Sequence, residues 1–258
     1  MNILLNGCLG YMGREVTALC ESGYRGARLC IGVDSSAGDD SSAYRSLSEV
    51  SDTCEVDCIV DFSHHTATPE LIGFATERGL PIVLATTGHT EDEISQIKSA
   101  AERIPIFYSG NMSLGIALLI EAAKNIAAAM PEAEIEIVEK HHSRKIDAPS
   151  GTALMIANEI CGVRENLYTN CGRHGHGRRD KNEIGIHSVR MGNIVGVHEV
   201  SIGTESQTIT LKHEAHSRAL FAEGALAAAA FISDLDAGLY DMKSMISCEE
   251  KGVSAVIG

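Results

Sequence analysis

The 258-residue chain contains no tryptophan, and aromatic residues make up only 4% of it. Basic residues are also scarce, because 21 Lys and Arg stand against 35 Asp and Glu, for a formal net charge of −14. Such a charge repels phosphate backbones and anionic lipid surfaces, so neither a nucleic acid nor a membrane is expected as a partner. Against this acidic background, any cluster of Lys, Arg and His is a candidate site for an anionic ligand.

Long apolar runs and paired cysteines are missing as well. No apolar run reaches the length of a transmembrane helix. We also see no basic segment followed by an apolar run, the pattern of an export signal. The eight cysteines contain no C-x-x-C pair, and His174 and His176 near Cys171 match no usual zinc spacing. We therefore expect reduced thiols, no metal site and a cytoplasmic location.

Apolar runs alternate with helical patterns up to about residue 110. We predict strands at 3–5, 27–33, 58–61, 81–85 and 106–109, with helices at 11–21, 66–78 and 91–103. This alternation is typical of βαβ units, which place helices on both faces of a parallel sheet. The first part of the chain is therefore predicted to be an α/β domain with a doubly wound parallel sheet.

The pattern changes after residue 112. A long helix at 114–130, a strand at 134–138 and a helix at 152–160 precede a polar loop at 162–182. Strands at 184–190, 194–202 and 207–213 are joined by glycine-bearing turns, which favours a mixed or antiparallel sheet. We predict two domains, 1–112 and 113–217, the second an α+β domain. A last alanine-rich helix is predicted at 218–235, and we expect the segment 218–258 that it begins to return to the first domain.

Three glycines follow the first predicted strand directly, where the first helix begins. A tight turn at this point lets the backbone approach a pyrophosphate and aims the N-terminus of the helix at it. Glycines that merely form a turn are the alternative, but the position at the head of a βαβ series favours a dinucleotide. The predicted cofactor loop comprises Gly7, Gly10, Tyr11, Met12 and Gly13.

Asp34 ends the second predicted strand, about 20 residues beyond the glycines, where an acidic side chain binds adenosine ribose hydroxyls. Its neighbours Ser35, Ser36 and Ala37 include no cation for a 2′-phosphate. We therefore expect NADH to be favoured over NADPH, although Arg14 on the first helix leaves NADPH open.

Two further strand ends carry small and polar residues. The carboxyl edge of an open parallel sheet is where ligands bind, so these residues are candidates for contacts with the nicotinamide half of the cofactor. Turn formation is the alternative role. The candidates are Ala85, Thr86, Thr87, Ser109, Asn111 and Met112.

The segment from Glu139 to Ala153 holds five cationic or imidazole side chains within six residues, 140–145. Either His141 or His142 is suited to supply a proton near neutral pH. Ser150 is a candidate N-cap, and the helix start that follows, together with Lys145, suits a carboxylate. A solvated basic loop is the alternative. We expect His187, His198, His213 and His216 to be structural.

The run E-x-H-H-x-x-K-x-D-x-P-S-G-T-A resembles the signature of the 4-hydroxy-tetrahydrodipicolinate reductase family of the diaminopimelate route to lysine. The resemblance covers essentially the whole chain, including G-x-x-G-x-M-G, T-T-G and Arg190-x-Gly192-x-x-x-Gly196-x-His198. The chain departs from the family pattern at Ala85, Met112, Asn193 and the pair His64-His65.

The resemblance implies a Rossmann-like N-terminal domain and a C-terminal substrate and tetramerisation domain, with 218–258 returning to the first. It implies an NADH- or NADPH-dependent reduction of a cyclic hydroxy-dicarboxylate with loss of water, by a homotetramer. His141 would be the proton donor and Lys145 the second acid. The residues implied to grip the substrate carboxylates are His142, Lys145, Ser150, Gly151 and Thr152.

Two rival functions remain at this stage. Another dehydrogenase of the same fold, such as a semialdehyde dehydrogenase, needs a cysteine nucleophile, for which only Cys161 and Cys171 are placed in the second domain. A non-catalytic NAD-sensing module is the other, since a fold does not fix a function.

Overall fold

The structure is a computed structural model that describes residues 1–39, 41–51 and 53–250, with side chains as far as residue 247. Its strands are β1 (Asn2–Asn6), β2 (Arg28–Val33), β3 (Cys58–Asp61), β4 (Ile82–Leu84), β5 (Pro105–Tyr108), β6 (Glu134–His141), β7 (Tyr168–Cys171), β8 (Glu183–Arg190), β9 (Gly196–Gly203), β10 (Thr208–Ala215) and β11 (Gly238–Tyr240). Its helices are α1 (Tyr11–Glu21), α2 (Thr68–Arg78), α3 (Glu91–Ala100), α4 (Leu114–Ala129), α5 (Gly151–Cys161), α6 (Ala219–Ile232) and α7 (Met242–Glu250).

The backbone groups into two compact units, one made of Met1–Ser113 with the chain from Arg218 onward and the other of Leu114–Ser217. The last eight positions of the segment 218–258 lie outside the described residues. Within the described ranges, no helix combines the length and the apolar content needed to cross a membrane.

The first unit contains a six-stranded sheet in the order β11-β5-β4-β3-β1-β2, and every strand pair in it is parallel. The central strands β1, β3 and β4 are buried runs rich in β-branched and leucine residues, as a sheet covered on both faces requires. Because β2 lies on one side of β1 and β3 on the other, the order in which strands are added to the sheet reverses at β1. That switch point places a crevice at the carboxyl ends of β1 and β3.

The second unit contains a five-stranded sheet in the order β10-β9-β6-β8-β7. β6 runs parallel to β8 and antiparallel to β9, so the sheet is mixed. Helices α4 and α5 cover one face with an isoleucine- and alanine-rich core that includes Ile137, Ile156 and Ile186. The predicted fold class, a doubly wound parallel sheet followed by an α+β unit with a mixed sheet, is confirmed.

Several element bounds differ from the sequence-based prediction. The segment 162–182, predicted to be a loop, contains β7, whose four residues are mostly exposed and therefore lack the alternation that marks a half-buried strand. β11 was not predicted, because none of its three residues is buried and they show no apolar pattern. β6 extends to His141, three residues beyond the predicted end, which places Glu139 and His141 on a rigid strand.

Candidate active site

A cleft of about 470 Å³ lies at the switch point of the first sheet. Residues that follow β1, β2 and β3 line it, and they include Gly7, Asp34 and Ser63. The position is the one at which open parallel sheets bind their ligands.

The glycine loop is shaped by close backbone packing. Gly7 has a φ of +81°, and a Cβ built there would lie 2.7 Å from the carbonyl oxygen of Phe62. A Cβ on Gly13 would overlap the carbonyl oxygen of Gly7. Helix α1 begins without a side-chain cap at Gly10 and without an acidic residue in its first turn. The loop therefore fits a pyrophosphate, which needs a side-chain-free cradle and an uncapped helix start.

Tyr11 and Met12, which lie between Gly10 and Gly13, differ in exposure. Tyr11 is 59% exposed, and the guanidinium of Arg218 lies 5.2 Å from its ring centroid. Met12 is half-buried. Arg218 was not among the predicted site residues, because its proximity to the glycine loop depends on the return of the chain to the first unit.

Asp34 is fixed by hydrogen bonds from the glycine loop and from the turn that follows β2. One of its carboxylate oxygens accepts the backbone N–H of Leu9 at 3.0 Å, and the other accepts the hydroxyl of Ser36 at 2.6 Å. Although partial burial opposes ionisation, the hydrogen bonds from Ser36 and Leu9 hold the pKa of Asp34 below its ordinary value. An ionised carboxylate at this position suits the hydroxyls of a ribose.

The sequence neighbours of Asp34 include no cation, but the fold adds one to the same cleft. Arg45 lines the same cleft, and its Nε donates to the carbonyl oxygen of Ala37 at 2.7 Å, in the turn that follows β2. The guanidinium also forms an ion pair with the exposed Asp39 at 2.7 Å. Arg45 is distant from Asp34 in sequence, so only the folded loop could reveal it.

Asp61, at the end of β3, organises this edge of the sheet. Its buried carboxylate accepts hydrogen bonds from the side chains of Asn6 at 2.9 Å, Ser63 at 2.6 Å and Thr86 at 2.6 Å. Thr86, a predicted cofactor contact, therefore has its hydroxyl committed to Asp61. Sequence reasoning missed Asp61 because a single acidic residue at a strand end carries no motif.

The remaining predicted cofactor residues follow β4 and β5. Thr87 is exposed and Ala85 is half-buried. Ser109 donates its hydroxyl to the carbonyl oxygen of Asn111 at 2.8 Å, which fixes the turn after β5. The side chain of Met112 is only 2% exposed, and its carbonyl oxygen faces Gly224 of α6 so closely that a Cβ there would overlap it.

An imidazole cluster lies beside these turns. His64 and His65 have ring centroids 4.3 Å apart, and His65 Nδ1 lies 3.0 Å from Glu93. His89 lies between the hydroxyls of Thr68, at 2.9 Å, and Tyr108, at 3.4 Å. The departure from the family pattern at positions 64 and 65 thus forms part of a local network.

The second unit carries a separate constellation at the end of β6. The carboxylate of Glu139 is fully buried, and His141 Nδ1 lies 2.6 Å from one of its oxygens. Arg190 donates to both oxygens of that carboxylate, at 2.8 and 2.7 Å. Although burial opposes ionisation, these bonds and that from the Ser150 N–H hold the pKa of Glu139 at about 2.

His141 therefore lies beside a permanent negative charge. Burial lowers the pKa of His141, and Lys145 and Arg190 act in the same direction, whereas Glu139 raises it. The ammonium of Lys145 is 2.9 Å from the carboxylate of Asp147. The ion pair with Lys145 lowers the pKa of Asp147.

Ser150 joins this cluster to helix α5. It is 1% exposed, its N–H donates to Glu139 at 3.1 Å, and its hydroxyl caps the helix by accepting the N–H of Ala153 at 3.2 Å. The N–H groups of Gly151 and Thr152 belong to the first turn of α5 and point along the helix axis. His142 is half-buried in the loop after β6, and Lys145 donates its N–H to the His142 carbonyl oxygen.

His198, which is expected to be structural, lies next to this cluster. Its Nε2 lies 3.1 Å from the hydroxyl of Ser150, and its ring centroid lies 5.3 Å from that of His141. Burial, together with its neighbours His141 and Lys145, lowers the pKa of His198 to about 4, so its ring is neutral at physiological pH.

No group of three or more His, Cys, Asp or Glu within 1–39, 41–51 and 53–250 is arranged to hold a metal ion. Burial raises the pKa of Cys161, which does not suit a nucleophilic thiolate. Cys171 is exposed on β7.

Family profiles match both parts of the chain. One, described as the N-terminus of dihydrodipicolinate reductase, matches residues 1–112, and one described as its C-terminus matches residues 115–246. A 4-hydroxy-tetrahydrodipicolinate reductase from Clostridium tetani is 41% identical over 96% of this chain and 97% of its own length. Another from Caldanaerobacter subterraneus is 43% identical over 95% of this chain and 98% of its own length.

Solved structures agree on the fold. A dipicolinate-bound dihydrodipicolinate reductase from Paenisporosarcina has a TM-score of 0.81 at 24% identity and covers 95% of this chain and 99% of its own. A diaminopimelate dehydrogenase from Corynebacterium glutamicum has a TM-score of 0.58 at 12% identity and covers 94% of this chain and 92% of its own. Since dehydrogenases of different substrates share the fold, the sequence matches carry the assignment, and the chain belongs to the dihydrodipicolinate reductase family.

Proposed function

We propose that this protein reduces 4-hydroxy-tetrahydrodipicolinate to tetrahydrodipicolinate, with loss of water, in the diaminopimelate route of lysine biosynthesis. The observation that carries the proposal is the buried Glu139–His141 pair next to Lys145 and the capped start of α5. Relatives at about 40% identity over nearly their full length bear the name of this activity.

His141 and Lys145 are assigned the acid chemistry. The reaction forms one C–H bond with a hydride and one at the adjacent carbon with a proton, and it expels water. A histidine whose pKa lies below its ordinary value gives up a proton readily, so His141 is assigned the proton transfer. Lys145 is assigned the second acid role and the attraction of a substrate carboxylate.

The substrate carries two carboxylates, and the start of α5 suits one of them. The first N–H groups of a helix and its dipole favour an anion. The proposed carboxylate contacts are His142, Ser150, Gly151 and Thr152. Because the hydroxyl of Ser150 already caps the helix, its main contribution is to hold Gly151 and Thr152 in place.

The first unit is assigned the dinucleotide. When bound, NADH or NADPH supplies the hydride. The proposed contacts are Gly7, Gly10, Tyr11, Met12, Gly13, Asp34, Ala85, Thr86, Thr87, Ser109, Asn111 and Met112. Asp34 favours the ribose hydroxyls of NADH, whereas Arg45 in the same cleft offers a cation to the 2′-phosphate of NADPH. We therefore infer that the protein binds both NADH and NADPH and has no strong preference for NADH.

Assembly and location remain predictions. The first unit, 1–112 completed by 218–258, is proposed as the dinucleotide-binding domain and 113–217 as the substrate-binding and tetramerisation domain. β10 is an edge strand of the second sheet, and its Ile209 is 36% exposed, so it offers a surface for pairing with another copy. A homotetramer and a cytoplasmic location follow from the family resemblance.

The proposal is tested by coupling the purified protein to aspartate semialdehyde, pyruvate and the upstream synthase while the absorbance of NADH is followed. We expect cofactor oxidation that depends on all three additions and on this protein. Oxidation of neither NADH nor NADPH would reject the function. A semialdehyde dehydrogenase would instead reduce NADP⁺ with aspartate semialdehyde and phosphate, without the synthase, and an NAD-sensing module would bind cofactor without turnover.

A further inference from the structure

We propose that Glu139 is a positioning residue for the proton transfer, because it holds His141 in a single tautomer and ties it to the start of α5. This inference rests on the proposed function, in which His141 is the proton donor. Glu139 itself touches neither substrate nor cofactor, since its side chain is fully buried.

Four hydrogen bonds to Glu139 point to one arrangement. Oε2 accepts from His141 and Arg190, and Oε1 accepts from Arg190 and from the Ser150 N–H. An ionised carboxylate can only accept hydrogen bonds, so His141 must carry a proton on Nδ1. The other nitrogen, Nε2, is then the atom that gains and loses the exchangeable proton.

The surroundings of Nε2 fit this role. A Cβ built on Gly196 of β9 would lie 3.3 Å from His141 Nε2, so the absence of a side chain at 196 keeps that nitrogen uncrowded. The charged and titratable groups facing His141 are Glu139 on its own strand, Arg190 on β8, His198 on β9 and Lys145 in the following loop. Of these, Glu139 alone adds negative charge, and it is the one in direct contact.

Arg190 keeps Glu139 ionised, so the Nδ1 proton stays on His141. Its guanidinium donates to both oxygens of Glu139 and so stabilises the carboxylate rather than the carboxylic acid. When substrate is reduced, the bond from Nε2 to its proton breaks and a C–H bond forms on the substrate carbon. His141 is left neutral with its Nδ1 proton still shared with Glu139, and solvent returns the Nε2 proton.

A matched control exists on the same strand. Glu136 accepts from Arg179 at 3.0 Å and lies 2.9 Å from His187 Nε2, so it repeats the Glu–Arg–His combination outside the cluster around His141. Glu136→Gln therefore removes the same charge from the same strand. A difference in behaviour between Glu139→Gln and Glu136→Gln therefore reflects where the glutamate lies and not the Glu-to-Gln change itself.

The first measurement needs no variant of Glu139 and no activity. Histidine-labelled wild-type protein is followed by NMR between pH 5 and 9, with the His141 signals assigned by their loss in His141→Gln. We expect the neutral His141 ring to carry its proton on Nδ1 over the whole range. A ring protonated on Nε2 in its neutral form would overturn the proposal, even if the enzyme is fully active.

The second measurement is the pH profile of kcat/KM. Loss of a contacting opposite charge lowers a histidine pKa by about 1 unit or more, so Glu139→Gln should move the limb assigned to His141 to lower pH by that amount. We expect kcat to fall on the order of 10²-fold, with a much smaller change in KM for NADH, and partial rescue by Glu139→Asp. A profile that stays in place in a folded Glu139→Gln, or that moves equally in Glu136→Gln, would contradict the proposal.

Discussion

Arg45 and Asp34 are distant in sequence, but the folded loop after β2 brings both to one cleft. The two side chains favour different cofactors. Asp34 accepts hydrogen bonds from ribose hydroxyls and repels a 2′-phosphate, whereas a guanidinium attracts that phosphate. The charge of Asp34 does not vary near neutral pH, because hydrogen bonds hold its pKa low.

Replacement of Arg45 separates the two cofactors. A charge-assisted hydrogen bond contributes about 1.5–3 kcal/mol, so Arg45→Ala should weaken NADPH binding by roughly tenfold or more. The dissociation constant of NADH should stay nearly the same. Calorimetric titration of each cofactor into the wild type, Arg45→Ala and the control Arg25→Ala measures this. Equal weakening of both cofactors, or of neither, would exclude Arg45 from the 2′-phosphate site.

The residues near the proposed sites that the sequence did not predict share one property. Asp61, Arg190 and His198 act through contacts with residues far away in the chain. A motif can be recognised only where its members are close in sequence, as in Glu139–Ala153. His198 illustrates the limit, since its register partner on β6 is Glu139 and this pairing is fixed by the sheet.

Helix α5 is the element on which the proposed carboxylate site depends. Ser150 caps its N-terminus, and the same residue bonds to Glu139 and lies beside His198. Helix α3 offers a comparison, because Thr90 caps it by accepting the N–H of Glu93 at 3.2 Å. The two caps are chemically alike, but only the first is joined to the cluster around His141.

Removal of each cap should therefore have different consequences. Loss of an N-cap hydroxyl costs about 1 kcal/mol, so Ser150→Ala and Thr90→Ala should lower thermal stability by similar amounts. Only Ser150→Ala should also raise KM for the dicarboxylate substrate. Thermal unfolding and steady-state kinetics of both variants measure this. If KM rises equally in Thr90→Ala, the effect is a general loss of stability and not a property of α5.

Among the elements, those with a clear apolar pattern were predictable and the exposed short strands were not. The residues of α1 and β3 were predicted at their observed bounds, since glycines or polar residues flank a clear apolar pattern. β7 and β11 show no such pattern, because their residues are exposed or only half-buried, and each pairs with one strand of a sheet. Their presence depends on the sheet and not on local sequence.

For the molecule as a whole, the fold class followed from the alternation of strands and helices, and the family followed from one long motif. In the proposed function, the two sheets divide the chemistry between them. The cleft at the carboxyl edge of the first includes Gly7 and Asp34, and the second unit holds His141 and Lys145. This division predicts that cofactor binding and proton transfer can be altered separately.

The most direct test of that claim combines turnover with cofactor binding in His141→Gln and Lys145→Ala. Each variant should lower turnover in the synthase-coupled assay by about 10²–10⁴-fold, the range of a lost acid or base, while NADH binds nearly as tightly as to the wild type. The surface variants His187→Gln and Lys212→Ala should retain turnover. Full activity in His141→Gln and Lys145→Ala would contradict the account.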